Sequence, residues 1–145
     1  LQSRERRQAV SEQALRLGER IQEADWQKEK HVPVIELPPS GKAGDWLQVK
    51  VSIGKAIEHP NTTEHHIRWI GCFFSPDSEK FTYDLGRFEF NAHGESVEGP
   101  NKGPAYTSHQ VIFSFKVTKP GTLHAIALCN IHGLCESDKR VEFSE

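Results

Sequence analysis

The stretch Leu47-Gln-Val-Lys-Val-Ser-Ile53 alternates apolar and polar side chains without a break. In an extended chain successive side chains point to opposite faces. Leu47, Val49, Val51 and Ile53 therefore line one face while Gln48, Lys50 and Ser52 line the other, which predicts a half-buried strand. Working outward, runs of the same period occur at 31–37, 65–74, 81–90, 111–117, 123–129 and 140–143. Turn-forming stretches separate them, among them Ser75-Pro-Asp, Gly99-Pro-Asn-Lys-Gly-Pro104 and Lys119-Pro-Gly121. Seven short strands punctuated in this way predict an all-β chain folded as a β-sandwich. Within 81–90 the apolar phase slips at Gly86, from Phe81, Tyr83 and Leu85 to Phe88 and Phe90, and a bulge at the glycine accounts for the slip.

Residues 1–25 read differently. This segment is charged and rich in glutamine, and Val10, Ala14, Leu17, Ile21 and Ala24 recur at intervals of four and three. That is one narrow apolar stripe, predicting an amphipathic helical extension ahead of a sandwich domain over 26–145. Gly18 weakens such a helix by up to about 1 kcal/mol relative to alanine, so the stripe needs a surface to lie on, its own domain or a sister subunit.

Composition narrows the functional classes. The 145 residues carry 18 basic and 20 acidic side chains, so no basic field invites nucleic acid. The longest apolar run, 69–74, falls far short of the roughly 18 residues that suggest a membrane span. Three cysteines cannot all pair and are too few for a disulfide framework, which points to reduced thiols and a cytoplasmic setting. With no methionine anywhere, Leu1 is read as following an earlier start, so a targeting segment could lie upstream.

The chemistry on offer is imidazole plus thiolate. His59 and His65 lie in Glu58-His-Pro-Asn-Thr-Thr-Glu-His-His66, and Cys129-Asn-Ile-His132-Gly ends a strand. A Cys-x-x-His pair on one tight loop can offer both donors to one ion, with Gly133 free to turn the backbone sharply. Taken singly, each of these side chains reads more readily as an ordinary surface or hydrogen-bonded histidine, or as a small buried thiol, than as a ligand. Strand alternation sends His65 and His66 to opposite faces, so only one of the two is expected to ligate. His93, His109 and His124 lack a partner at ligand spacing, Cys72 reads as core, and Cys135 reads as a bystander. Phosphate-binding loops, nucleophile elbows and His-Glu-x-x-His helices are missing.

Together, Asp25-Trp26, Glu29-Lys-His-Val-Pro-Val-Ile-Glu36, His59-Pro-Asn-Thr-Thr-Glu-His-His-Ile67, Gly94-Glu-Ser-Val97 and Cys129-Asn-Ile-His-Gly133 resemble superoxide reductase of the one-iron, neelaredoxin type, in the desulfoferrodoxin iron-binding family. The resemblance spans about 25–142. It implies an immunoglobulin-like, seven-stranded β-sandwich holding one mononuclear non-heme iron. His31, His59, His65 and His132 would be its equatorial ligands and Cys129 its axial thiolate, with backbone N–H groups after Cys129 tuning the sulfur. Lys30 would draw in the superoxide anion, and Glu29 would cap the oxidised iron. The implied reaction is one-electron reduction of superoxide to hydrogen peroxide. Electrons would come from rubredoxin or a similar small donor, because no rubredoxin-like Cys-x-x-Cys domain is present. Small relatives of this type form dimers or tetramers.

Two departures stand out. Leu134-Cys135 occupies a region where the family commonly has tryptophan, and the charged N-terminal segment is longer than a minimal member needs. The competing reading is a non-catalytic β-sandwich module that binds a redox-silent metal or a partner. Zinc prefers four tetrahedral ligands, and four imidazoles plus a thiolate suit iron better.

Overall fold

A computed structural model describes residues 15–39 and 41–144. Seven strands form two antiparallel sheets: β1 (Val34–Glu36), β2 (Trp46–Ser52), β3 (Ile67–Pro76), β4 (Tyr83–Glu89), β5 (Gln110–Lys116), β6 (Gly121–Cys129) and β7 (Gly133–Val141). The smaller sheet runs β1-β2-β5 and the larger β4-β3-β6-β7. The seven-stranded sandwich expected from the alternating pattern is thus the observed fold.

Burial follows that alternation. Leu47, Val49 and Val51 of β2 face Ile70, Cys72 and Phe74 of β3 and Leu123, Ala125 and Ala127 of β6 in one core between the sheets. Strand β6 buries every second residue over its whole length. A phenylalanine pair, Phe88 and Phe113, closes the core where β4 approaches β5, with ring centroids 5.1 Å apart. The slip at Gly86 is a bulge: Cys72 opposes Gly86 and Phe73 opposes Asp84, leaving Leu85 as the extra residue. Gly86 has φ 154°, and the bulge lets both Leu85 and Phe88 reach the core.

Two expectations are corrected. The last strand starts at Gly133 rather than Arg140 and pairs with β6 from Cys129↔Gly133 to Gly121↔Val141. Its Glu-Ser-Asp-Lys-Arg stretch hides the strand from a hydrophobic pattern, because an edge strand keeps its backbone partners on one side while charge covers the other. In the N-terminal segment, α1 (Leu17–Arg20) is only four residues long, and no residue of it is buried. The expected helix does not continue to Ala24. Ile21 is extended, and Gln22 forms a parallel bridge to Cys135, donating to Leu134 O at 3.0 Å and accepting from Glu136 N at 2.9 Å. The described part of the segment therefore lies along the open edge of β7 instead of packing as a helix. Val10 and Ala14 of the stripe lie outside the described residues. Among the described residues no helix is long and apolar enough to cross a membrane.

Candidate metal centre

Three connections at one end of the sandwich supply the expected donors: the segment before β1 brings His31, the β2–β3 connection brings His59 and His65, and the β6–β7 turn brings Cys129 and His132. That turn is short, running from Cys129 to Gly133, whose φ of 81° suits the left-handed close of a tight hairpin. Asn130 ties it to the neighbouring connection. Its N–H donates to His66 O at 3.1 Å, its Oδ1 accepts from His66 N at 2.8 Å, and its Nδ2 donates to Glu64 O at 2.9 Å. Of the backbone N–H groups after Cys129, that of Asn130 is engaged with His66.

Ligand atoms of His31, His65, Cys129 and His132 all lie within 4.8 Å of one another. His65 Nε2 sits 3.2 Å from Cys129 Sγ, and His132 Nδ1 sits 3.6 Å from it. His59 stands edge-on to two of these rings, with centroids 5.0 Å from His31 and 4.8 Å from His65. Exposure is graded across the group, from Cys129 and His59 at 2% each to the exposed His132.

Two of the imidazoles are oriented from behind. His59 Nδ1 lies 2.6 Å from Pro60 O, which fixes the proton on Nδ1 and frees Nε2. Burial pushes the His59 pKa down to about 4, and the neighbouring imidazoles push the same way, so the ring is neutral at pH 7 with a lone pair to offer. His31 Nδ1 meets the Glu29 carboxylate, which also accepts from His31 N at 3.0 Å through both oxygens. Burial works to raise the Glu29 pKa, and the His31 contacts outweigh it and hold the carboxyl below its usual value. Glu29, which the resemblance implies as a cap on the oxidised iron, contacts His31 in this structure. Burial lowers the His65 pKa, and the neighbouring His132, His31 and Lys30 side chains push the same way. Lys30 and His59 share the wall of a cleft of about 680 Å³ that continues past Glu58, Tyr106 and His109.

The donor set fits a transition metal. His31 Nε2 and His59 Nε2 are buried without a hydrogen-bond partner among the described residues. Buried polar atoms are rarely left so, and two orphaned imidazole nitrogens beside a thiol mark a place for a cation.

The other histidines and Cys72 make different contacts, and His93 Nε2 and His109 Nδ1 are also buried without a hydrogen-bond partner among the described residues. His66 stacks on His93 with centroids 3.4 Å apart and lies 2.9 Å from Thr62 O through Nδ1. His124 pairs with Asp138 at 2.6 Å. Cys72 is fully buried in the core, where burial pushes its thiol up to about 12. Sequence reasoning set His109 aside, yet its ring packs edge-on to His59 with centroids 5.8 Å apart. No spacing signal could have found it, because the contact is made by two loops fifty residues apart in the chain.

A seven-stranded sandwich with imidazoles and one thiolate converging at one end defines a class, the β-sandwich proteins built around a mononuclear transition-metal centre. The chain belongs to the desulfoferrodoxin family, whose model matches residues 23–138. It is 54% identical over 127 residues to the neelaredoxin of Megalodesulfovibrio gigas, covering 88% of this chain and 98% of that protein. To the superoxide reductase of Pyrococcus furiosus it is 51% identical over 126 residues, 87% of this chain and 99% of the relative. Among solved structures, the superoxide reductase (neelaredoxin) of Archaeoglobus fulgidus in its reduced form superimposes with a TM-score of 0.79. The two are 52% identical, over 85% of this chain and 98% of that one.

Proposed function

We propose that this protein is a superoxide reductase that carries one mononuclear non-heme iron held by His31, His59, His65, His132 and Cys129. The observation that supports it best is the gathering of three imidazoles and one thiol within 4.8 Å, with His59 Nε2 orphaned beside them. Relatives named neelaredoxin and superoxide reductase, about half identical over nearly their full length, favour the same activity.

Iron, when bound, supplies the single electron that superoxide must gain. With two protons the product is hydrogen peroxide. Cys129, as a thiolate, is a soft, electron-rich donor that favours an iron able to give up that electron. Glu29 and Pro60 O hold His31 and His59 in the tautomer that leaves Nε2 free. Lys30, on the cleft wall beside His59, attracts the anionic substrate and can position a proton-donating water. The electron is replaced by rubredoxin or a similar small donor. Assembly as a dimer or tetramer and a cytoplasmic setting belong to the same reading, the latter supported by three free cysteines.

The test is the visible absorption spectrum of iron-loaded protein before and after chemical oxidation. A red-region band that appears on oxidation and is absent from Cys129→Ala supports a thiolate-bound iron. Iron bound without such a band, or not bound at all, overturns the reading in favour of a non-catalytic module.

A further inference from the structure

Asn101 has φ 63°, the one positive value at a non-glycine residue among those described. Asparagine tolerates this left-handed conformation better than most residues, yet it still costs energy, and such residues persist where their surroundings fix them. Here the surroundings are the segment that carries His59 and His65. Asn101 Oδ1 accepts from Thr63 N at 2.7 Å, and Asn101 N donates to Thr63 Oγ1 at 3.1 Å. Asn101 Nδ2 donates to both Glu64 carboxylate oxygens, at 3.1 and 2.9 Å. Thr63 Oγ1 in turn donates to His93 O at 2.7 Å, and Asn61 Nδ2 donates to Thr107 O at 3.0 Å.

The far side of the clasp is stiff. Tyr106 OH donates to Asn101 O at 3.3 Å, and Gly103 N donates to Gly94 O at 2.9 Å. A Cβ at Gly103 would stand 2.2 Å from Glu95 O, so the loop backbone packs directly on itself.

We infer that Asn101 is a positioning residue for the metal centre: its left-handed backbone and its amide clamp Thr63 and Glu64, and so set the place of His65 before any metal arrives. The inference rests on the proposed function in taking His65 as a ligand. The side chain works as a two-ended clip, with its oxygen on Thr63 N–H and its amide on Glu64. Neither end touches a ligand side chain, so the effect passes through the backbone of residues 63–65.

Three full-length variants separate the parts. Asn101→Gly keeps the backbone conformation and deletes both ends of the clip. Asn101→Asp keeps the acceptor for Thr63 N–H but faces Glu64 with a second carboxylate. The double variant Asn101→Asp/Glu64→Gln restores the pairing with donor and acceptor exchanged. In metal-free protein, amide hydrogen exchange over 59–65 is expected to rise in Asn101→Gly and Asn101→Asp and to return to the parent level in the double variant. The unfolding midpoint should stay within about 4 °C of the parent throughout, since the lost bonds are exposed neutral or surface ones. In iron-loaded protein the two single variants should release iron to a chelator about tenfold faster, the scale seen when residues supporting a ligand are lost. Their thiolate-to-iron band should shift or broaden, a signature that general destabilisation alone does not produce. Parent-like exchange over 59–65 and a parent-like release rate in Asn101→Gly would overturn the inference, as would a double variant no better than Asn101→Gly. A parent protein that holds no iron defeats the proposed function instead, and the exchange comparison still decides the role of Asn101.

Discussion

Stripping the metal should destabilise this protein by an amount the structure allows to be worked out. Two imidazole nitrogens at the centre, His31 Nε2 and His59 Nε2, are buried without a hydrogen-bond partner among the described residues. Each unsatisfied buried polar atom costs about 1–3 kcal/mol, so the pair leaves the metal-free fold short by about 2–6 kcal/mol. For a chain of this length 1 kcal/mol moves the unfolding midpoint by about 3 °C, giving an expected gap of about 6–18 °C between iron-loaded and metal-free protein. Calorimetry of both forms at one protein concentration, with the loaded form in slight iron excess, reads this gap directly. His59→Leu supplies the control. It sacrifices the bond to Pro60 O, worth about 1 kcal/mol, and removes one orphan, so metal-free stability should change by less than about 2 kcal/mol while the response to iron collapses. If the loaded and metal-free midpoints agree within about 2 °C, those nitrogens face no metal and the reasoning fails.

Lys30→Ala should slow the second-order reaction with superoxide and flatten its dependence on ionic strength, while Lys30→Arg keeps both. Stopped-flow or pulse-radiolysis rates across a salt series decide this, and a parent-like salt slope in the alanine variant removes Lys30 from substrate capture. Burial, a hydrogen bond with Glu23 and the charges of Asp138 and Glu23 push the Glu136 carboxyl up to about 7. The folded state therefore holds this proton more tightly than the unfolded chain. The resulting stabilisation is complete below about pH 4.5 and is lost as pH rises through 7. Glu136→Gln should flatten denaturant midpoints across that window, and an unchanged pH profile refutes the shared proton. Gly94 has φ 81°, and a Cβ there would stand 2.4 Å from Tyr106 Oη. Gly94→Ala should cost about 1–3 kcal/mol by chemical denaturation, and a neutral result would mean that the loop relaxes freely.

What could be read from the sequence was whatever a period or a short spacing encodes. Leu47, Val49 and Val51 announce β2 because one face is wet and the other dry, and the slip at Gly86 announces its bulge. Strand β7 stayed hidden because Glu136, Asp138 and Arg140 lie along an edge where charge is tolerated. The stripe through Leu17 and Ile21 suggested a helix, but pairing of Gln22 with the open edge of β7 satisfied the backbone better than a short exposed helix could. At the centre, Cys129 and His132 lie three residues apart and are legible as a pair, whereas strand parity allowed only one of His65 and His66 and the resemblance supplied the choice of His65. The bracing of His31 by Glu29, the edge contact of His109 with His59 and the clip made by Asn101 depend on which loops meet in space. No local pattern records such meetings.

The three segments that meet at the metal centre belong to different layers. His31 leads into the smaller sheet, His59 and His65 lie on the crossing between the sheets, and Cys129 and His132 close a hairpin of the larger one. An ion held by all of them ties positions about a hundred residues apart. In a chain-entropy account, a tether closing a loop of that size restricts the unfolded chain by about 4–5 kcal/mol. The metal would thus do for this sandwich what an inter-sheet disulfide does for a secreted one, as a staple that can be withdrawn. With the staple withdrawn, fraying should begin at this end of the sandwich and travel toward the Gly121 end, where Gly121 lies so close to Ser75 O that a Cβ would come within 2.3 Å.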